Sequence, residues 1–569
     1  MKSDYKIYRL KLKLRALWRH PLNAEKRKAY RKARKSEYLA WEAPLLRSGS
    51  IYRVGIITTR HTQFVGHLLS KHLSSLNFRT FQMPEYSGED DCDLYFVVCP
   101  QMFEHLPPPS KTIAFQMEQS VSSRWFTAKY IDILRSCLAV AEYSMVNISA
   151  LDKFGISHPQ LFYIPLGPID NYSSFLGEEG FDIAKKYDVL FYGDDKVDRR
   201  RKILDALAKE FRIHILNDTF GKDLRDAVRA SKVVVNIHYY EGALLESTRI
   251  FEALSLGCQV VSEVGFDQED YPELNERVRF VEPGDVEALI VNIREALRGF
   301  SHADVSSRNN AISAEETNFR FHLTRLLLAM RIISYDVFWD ANEAYRLPSA
   351  RLALSLPETF RRRAEFRRTH PDDFAFDGLR AVPAWVGCAL SYKFLAAKAL
   401  QQNFKMLTVF EDDAVFRNQR EGDLECIMRH LEEVDWDFFC GLIADLHQDT
   451  KVVQVTSIDG LTLVTLDRMV SMVYNIYSKR ALQILSKWDP SNGDVSINTI
   501  DRFIERQQSL RVVTVVPFIV DHRDDSVSTL WSFSNAQYRT LIDKSEALLR
   551  EKIADFSEMS GVNTEEADG

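Results

Sequence analysis

The sequence predicts an α/β protein with two Rossmann-like halves followed by a further α/β domain. Short apolar runs alternate with helical segments from about residue 53 to 300, and a new alternating series begins near residue 348. The chain has 569 residues, and its hydrophobic fraction of 46% is ordinary for a globular protein. This length is too great for one hydrophobic core, so about two to four domains are expected.

The first predicted half covers residues 50–170. One helical segment begins at His61, and strand-like runs with turn residues between them make up the rest. The predicted strands are 54–59, 78–83, 93–98, 111–119, 143–149 and 162–167. This pattern favours a doubly wound parallel sheet.

The second predicted half covers residues 171–300 and begins with the strand-like run 187–195. A helix with Arg199, Arg200 and Arg201 follows, and the strand-like runs near 212, 232 and 258 continue the alternation. Two such halves in series predict a nucleotide-binding cleft between them, because ligands of these sheets bind at the carboxyl ends of the strands.

One helix of the second half carries Glu246, Arg249 and Glu252 at spacings of three residues, so Arg249 lies one turn from each acid. An acid there can bind vicinal hydroxyl groups of a ribose or sugar, and a guanidinium can pair with a diphosphate. The structural alternative is an exposed ladder of salt bridges on the helix surface.

The run R-x-F-E-A-L-x-L-G-C, which leads into an apolar strand, resembles the donor-binding half of GT-B glycosyltransferases of family 4 and the spore-maturation type. The resemblance covers about residues 50–300. It implies that Glu252 holds the donor ribose, that Arg249 lies beside the phosphates, and that Gly193 belongs to the loop after the first strand. The family pattern also has an acid eight residues before Glu252, where this chain has Leu244; Glu246 is the nearest acid.

Residues 301–347 are predicted to form linking helices without a site, and the third unit covers 348–535. Within it, the stretch 385–416 predicts a helix and then a short apolar strand at 406–410. The strand leads into three consecutive acids, Glu411, Asp412 and Asp413. Carboxylates at the end of a rigid strand are suited to binding a hard divalent cation. The alternative is a solvated acidic turn.

Further motifs of the third unit occur in the order found in glycosyltransferase family 25, which has a GT-A fold and which this region resembles. The matching residues are Arg361, Arg362, Gly387, Cys388, Ser391, Glu411 to Asp413, Tyr474, Ser478 and Asp501. Tyr392 stands where the family usually has His. The resemblance implies a GT-A-like domain after a GT-B-like pair of Rossmann-like domains.

In a GT-A-like site, Mn²⁺ or Mg²⁺ would bridge the acids and the donor diphosphate. If the strand stays extended, Glu411 and Asp413 point to one side and Asp412 to the other. Asp413 is then the expected metal ligand, and Glu411 reaches the ribose or a metal-bound water, with Asp412 as the substitute. His522, after an apolar strand, is a candidate further ligand, although a single His is more often structural.

Proton transfer from the acceptor hydroxyl requires a base, and Asp501 is the candidate, with helix capping as the alternative role. Arg361 or Arg362 would pair with the donor phosphates, and an ordinary exposed arginine is the alternative.

The amino-terminal arm, residues 1–47, is strongly basic. Residues 1–50 hold 15 Lys and Arg against 4 Asp and Glu, a net charge of +11, so the remainder carries −7 − 11 = −18. Its interleaved apolar residues suit an anionic membrane surface, and a solvated helix is the alternative. Nucleic acid is not an expected partner, because no base-reading module follows. A helix and an acidic tail are expected over 536–569.

Seven scattered cysteines without a CxxC pair indicate a reducing compartment, and no apolar run is long enough to span a bilayer. These observations predict a cytoplasmic protein. The two family resemblances imply a glycosyltransferase, peripheral to the membrane, that transfers sugars from nucleotide-sugar donors to a glycan or lipid-linked acceptor of a cell surface. Two alternatives remain: one active GT-A-like module beside a degenerate GT-B-like half, or a non-catalytic glycan-binding scaffold.

Overall fold

The computed structural model describes residues 52–89, 91–121, 125–178, 184–299, 313–417, 422–531 and 534–560. The predicted basic arm and the last nine residues of the predicted tail lie outside these ranges. The chain divides into two compact units, Met1–Tyr345 and Arg346–Gly569.

The first unit begins with a six-stranded sheet in which every strand is parallel to its neighbours. Its strands β1 to β6 are Arg53–Ile57, Arg79–Met83, Leu94–Val98, Thr112–Gln116, Ala139–Glu142 and Leu161–Tyr163, in the order β2-β1-β3-β4-β5-β6. The helices α1 to α4 are Gln63–Ser75, Ala128–Ser136, Met145–Lys153 and Tyr172–Phe175. Strands β3, β4 and β5 are buried throughout, as expected for central strands of a parallel sheet.

The prediction of a strand over 143–149 is wrong. The strand lies just before it, at Ala139–Glu142, and α3 begins at Met145. The buried carboxylate of Glu142 accepts hydrogen bonds from the Ser144 N–H (2.9 Å) and from Asn147 Nδ2 (3.0 Å). These bonds stabilise the first turn of the helix, which the apolar pattern alone did not reveal.

A second parallel sheet of five strands follows. Its strands β7 to β11 are Tyr187–Tyr192, Ile213–Leu216, Ser231–Asn236, Gln259–Glu263 and Val278–Val281, in the order β11-β10-β9-β7-β8. The helices α5 to α8 are Asp198–Leu207, Gly221–Arg229, Ser247–Ser255 and Val286–Arg298. The chain leaves β7 to one side for β8 and then crosses to β9, so a topological switch point lies between β7 and β9. The prediction of two Rossmann-like halves is confirmed.

Two further helices complete the first unit, α9 at Ser313–Ala329 and α10 at Tyr335–Ala341. Glu316 of α9 is buried and pairs with Lys71 Nζ of the first half at 2.6 Å. This ion pair fastens the helix after the second sheet to helix α1 beside the first.

The second unit contains a mixed eight-stranded sheet and a separate two-stranded pair. Strands β12 to β21 are Arg351–Ser355, Phe374–Asp377, Met406–Glu411, Ala414–Phe416, Phe438–Cys440, Val452–Ile458, Leu461–Leu466, Tyr474–Ser478, Val512–Val516 and Val520–His522. The large sheet has the order β13-β12-β14-β19-β16-β20-β18-β17, and β15 pairs with β21. Helices α11 to α17 are Phe360–Thr369, Ala384–Gln401, Asp423–Glu433, Lys479–Ser486, Val495–Asn498, Ile500–Glu505 and Arg539–Ser560.

Strand β14 lies inside this sheet, parallel to β12 and antiparallel to β19. It delivers the three predicted acids to one edge of the sheet. None of the described helices combines the length and the apolar character needed to cross a bilayer.

Candidate functional site

In the first unit, two guanidinium groups converge on the loop after β7, beside the switch point. Gly193 has φ of 132°, and a Cβ placed on it would lie 3.1 Å from Arg249 Nη2 and 3.6 Å from Arg200 Nη1. A side chain at residue 193 would fill the space in front of both arginines. The loop therefore leaves room for an anion to approach backbone and guanidinium groups together.

Arg249 lies on α7 and is oriented by neighbours from β7 and β9. Its Nη1 donates to Asn236 Oδ1, and its guanidinium carbon lies 5.3 Å from the centre of the Tyr192 ring. Its Nε is buried and has no hydrogen-bond partner among the described residues. A buried donor without a partner is costly, and a bound acceptor oxygen would satisfy it.

Arg200, the first residue that sequence reasoning missed at this site, is 3% exposed. Its Nε donates to the Ile237 carbonyl and its Nη1 to the Asp194 carbonyl, each at 3.0 Å. Burial lowers its pKa to about 10, which leaves it charged at neutral pH. The sequence signal that could have identified Arg200 was the run of three arginines at the start of α5, the helix after β7.

Glu246 immediately precedes α7 and is paired with His238. Glu246 Oε2 lies 2.5 Å from His238 Nδ1, and His238 Nε2 lies 3.0 Å from the Val264 carbonyl. Both partners are oxygens that accept hydrogen bonds, so this environment favours the doubly protonated ring. Burial opposes this charge, but the carboxylate of Glu246 outweighs burial and raises the pKa of His238.

The pKa of Glu246 itself is lowered to about 2. Burial opposes the shift, and the charges of His238, Arg249 and Arg200 produce it. Three groups that favour the ionised carboxylate thus lie around Glu246, two of them guanidinium groups.

Glu252 lies one turn beyond Arg249 on α7. Burial raises its pKa to about 7 despite the charges of Arg225 and Arg249. Its carboxylate accepts no hydrogen bond from the described residues, and no ion pair within 4.0 Å joins Arg249 to Glu246 or Glu252 in the described chain. The arrangement is therefore not a surface salt-bridge ladder.

Leu244 stands where the resembled family has an acid, and its side chain is fully buried. Gln119 of the first half binds both backbone groups of Leu244, accepting from its N–H at 3.0 Å and donating to its carbonyl at 3.1 Å. The carboxylate beside the arginines comes instead from Glu246, two residues later.

In the second unit, the expected alternation of the three acids is wrong. Strand β14 ends at Glu411, and Asp412 and Asp413 lie in the turn before β15. Because of this turn, both aspartates reach the guanidinium of Arg362. Its Nη2 pairs with Asp412 and lies 3.1 Å from Asp413 Oδ2. Ser355 Oγ also donates to Asp412 Oδ2 at 2.7 Å.

Asp413 and His522 both carry buried polar atoms without hydrogen-bond partners. Asp413 Oδ2 accepts from Asn535 Nδ2 at 2.6 Å, but Oδ1 has no partner. Neither ring nitrogen of His522 makes a hydrogen bond, and the nearest carboxylate oxygen, Asp524 Oδ1, lies 3.5 Å from Nδ1. Strand pairing sets Ala414 opposite His522, so Asp413 and His522 are neighbours.

The buried carboxyl of Glu411 has its pKa raised to about 8, first by burial and then by the charge of Asp413, with a smaller contribution from Asp501. Asp501, in the first turn of α16, thus lies near the three acids, and its Oδ1 accepts from the adjacent Arg502 N–H at 2.8 Å. Arg361 is exposed, and its guanidinium lies 5.8 Å from the Phe360 ring. No group of three or more His, Cys, Asp or Glu side chains in the described ranges is arranged to hold a metal ion.

Several companion motifs of the second unit have structural roles. A Cβ on Gly387 would lie 2.7 Å from the Ala381 nitrogen, so α12 packs directly on that loop. Ser391 Oγ accepts from the Leu379 N–H at 2.7 Å and donates to the Gly387 carbonyl at 2.8 Å. Ser478 Oγ caps α14, and the hydroxyl of buried Tyr392 donates to the Met472 carbonyl at 3.3 Å.

Comparisons with known proteins give structural likenesses only. No family model and no curated protein matches the sequence. AviGT4, a glycosyltransferase involved in avilamycin A biosynthesis, is 13% identical, with 49% of this chain and 98% of that chain covered and a TM-score of 0.33. HepE of Anabaena, in complex with UDP, is 12% identical, with 49% of this chain and 99% of that chain covered and a TM-score of 0.32. WaaG, a glycosyltransferase involved in lipopolysaccharide biosynthesis, is 14% identical, with 51% of this chain and 98% of that chain covered and a TM-score of 0.29. Values this low do not establish a shared activity.

Proposed function

We propose that the chain is a glycosyltransferase that uses nucleotide-sugar donors, with a GT-B-like donor site in the first unit and a GT-A-like site in the second. The observation that carries the proposal is the convergence of Arg200 and Arg249 on Gly193 at the switch point. A diphosphate diester is a dianion, and two neighbouring guanidinium groups are suited to pair with it.

The remaining side chains of the first site suit the rest of such a donor. Glu252, one turn along α7 from Arg249, would accept hydrogen bonds from the ribose hydroxyls. Glu246 is 17% exposed at the side chain, so its carboxylate is accessible to a sugar hydroxyl. His238 keeps Glu246 ionised and fixes its orientation.

Titration of the full-length protein with nucleoside diphosphates in EDTA tests the first site. Arg249→Ala removes one of two groups that pair with the phosphates, so we expect the Kd to rise about 10- to 100-fold. Arg294→Ala is the matched control, because Arg294 is half exposed and pairs with exposed Glu210; its Kd should change less than about twofold. Equal affinities for wild type and Arg249→Ala would refute the proposal.

For the second unit, the unpartnered Asp413 Oδ1 and the His522 ring support a GT-A-like site that holds Mn²⁺ or Mg²⁺. Because no larger ligand group occurs among the described residues, the donor phosphates and water would supply the other ligands. When bound, the cation would neutralise charge on the leaving diphosphate. Asp501 is the proposed base for the acceptor hydroxyl, and Arg362 keeps the aspartates oriented.

Two alternatives predict different results with the same variants. In a two-enzyme protein, Arg249→Ala and Asp413→Asn each remove a different transfer reaction. If only the second site is active, Arg249→Ala leaves donor turnover intact and weakens acceptor binding. A glycan-binding scaffold would show no turnover with any nucleotide sugar.

The acceptor belongs to the same proposal. A glycan or lipid-linked acceptor of lipopolysaccharide or capsule type is consistent with a basic arm over residues 1–47 that binds the cytoplasmic face of an anionic membrane.

A further inference from the structure

Two aromatic side chains are exposed beside the arginine cluster of the first unit. Tyr239 is 41% exposed and Phe266 is 71% exposed. They follow β9 and β10, which are neighbouring strands, so both lie at the carboxyl edge where Arg200 and Arg249 converge. An aromatic ring with this much exposure offers an open apolar face that a ligand can cover.

The backbone at Phe266 is held on both sides. A Cβ on Gly265 would lie 2.6 Å from the Leu245 nitrogen, so the two segments are in direct contact. The Phe266 N–H donates to the Ala243 carbonyl at 2.9 Å. Asp267 is 3% exposed and accepts from the Leu245 N–H at 2.8 Å. The exposed ring therefore projects from an ordered backbone.

Phe266 also lies on the side of the second half that meets the first half. Asp267 Oδ2 accepts from Ser144 Oγ at 3.1 Å, and Ser144 follows β5 of the first sheet. The segment that carries Phe266 thus lies where the two halves meet, in contact with the Leu245 backbone just before Glu246.

The order of groups along α7 gives the direction of a bound donor, and this step rests on the proposed function. Glu252 would mark the ribose, and Arg249 would mark the phosphates one turn closer to the start of the helix. The sugar, on the far side of the phosphates from the ribose, would then lie toward the start of α7. The segments 239–245 and 264–267 meet at this end of the helix, joined by the Phe266 N–H to Ala243 bond.

We infer that Phe266 is the stacking platform for the pyranose ring of the donor sugar. The C–H face of a pyranose is apolar and packs on an aromatic ring, while its hydroxyl groups remain free for polar partners such as Glu246. Tyr239 is already covered on one side by the Arg200 guanidinium, 5.2 Å from its ring centre, so Phe266 provides the more open surface.

The test compares two ligands with the same base, a nucleoside diphosphate and the corresponding nucleotide hexose, on the full-length protein in EDTA. For Phe266→Ala we expect about 5- to 10-fold weaker binding of the nucleotide hexose and less than about twofold change for the nucleoside diphosphate. Phe266→Tyr should retain the wild-type ratio of the two affinities. Unchanged thermal unfolding would show that the exposed substitution leaves the fold intact.

Phe154→Ala is the matched control, because Phe154 is 37% exposed at the opposite edge of the first sheet, after the carboxyl end of α3. If Phe266→Ala leaves the ratio of the two affinities unchanged while binding still depends on Arg249, the stacking role is overturned and the proposed function stands. If neither ligand binds in an Arg249-dependent manner, both are overturned.

Discussion

The candidate sites of the two units have opposite charge. In the first unit, Arg200, Arg249 and His238 lie around the carboxylate of Glu246. In the second unit, Arg362 pairs with Asp412 and Asp413, and the carboxyls of Glu411 and Asp501 lie near these aspartates. If both sites bind a diphosphate, the first can do so with its own side chains, whereas the second requires an added cation.

This difference explains the unusual environment of each site. The first site buries guanidinium groups and uses a glycine to leave space for an anion. The second buries carboxylates, and burial with mutual repulsion raises the pKa of Glu411 to about 8. A divalent cation would relieve that repulsion, so chelation should separate the two sites.

Removal of divalent cations should have the largest effect, and only on the second site. Asp413→Asn keeps the side-chain size but removes the charge, so we expect Mn²⁺ affinity to fall about 100-fold or more. Calorimetric titration of Mn²⁺ into the full-length protein measures this change. Asp435→Asn, at a 77% exposed side chain paired with Arg511, is the control. An unchanged Mn²⁺ affinity in Asp413→Asn would show that Asp413 does not bind the metal ion.

Two glycines of the second unit should differ in their effect on stability. Gly387→Ala places a methyl group 2.7 Å from backbone atoms of residues 379 and 381, so we expect a loss of about 2 kcal/mol in the free energy of unfolding. Gly493→Ala has no atom within 4 Å and should change stability by less than about 0.5 kcal/mol. Denaturant unfolding measures both. Equal stability of the two variants would show that the loop beside Gly387 can move away.

The pH dependence of donor binding should be the smallest effect. As pH rises from 6 to 8, Glu252 ionises through its pKa of about 7, and charge-assisted hydrogen bonds to the ribose become available. Affinity for a nucleotide sugar in EDTA should increase about three- to tenfold over this range, because charged acceptors bind more strongly. The diphosphate diester of such a ligand does not titrate there.

Glu252→Gln should make this profile flat. The same carboxyl also affects folding: its folded pKa exceeds the usual 4.5, so its contribution to stability falls as pH rises from about 4.5 to 7. The variant should therefore lose less stability than wild type over that range. A steep affinity profile in the variant would assign the titration to another group.

Sequence reasoning located secondary structure best where apolar runs were long and bounded by turn residues. Strands β3 and β14 and helix α12 lie where the pattern placed them. The strand predicted over 143–149 was wrong. The start of α3 is stabilised by hydrogen bonds to the buried carboxylate of Glu142, which form only in the folded chain.

The candidate sites show a similar division. Arg249 and Glu252 could be chosen from their spacing, since one helix face follows from a fixed period. Arg200 could not be separated from Arg199 and Arg201 by spacing, because its role depends on where α5 packs over β9. The turn after Glu411 likewise depends on Arg362, which is distant in sequence and pairs with both aspartates.

The sequence by itself determined the α/β class, the two Rossmann-like halves and the helix face with Arg249, because these follow from local periodicity and from the order of strands and helices. Only the tertiary structure decided which charges meet: Arg200, Arg249 and His238 lie around Glu246, and Arg362 pairs with Asp412 and Asp413. Such meetings depend on packing between distant segments, and burial then sets the pKa of each group.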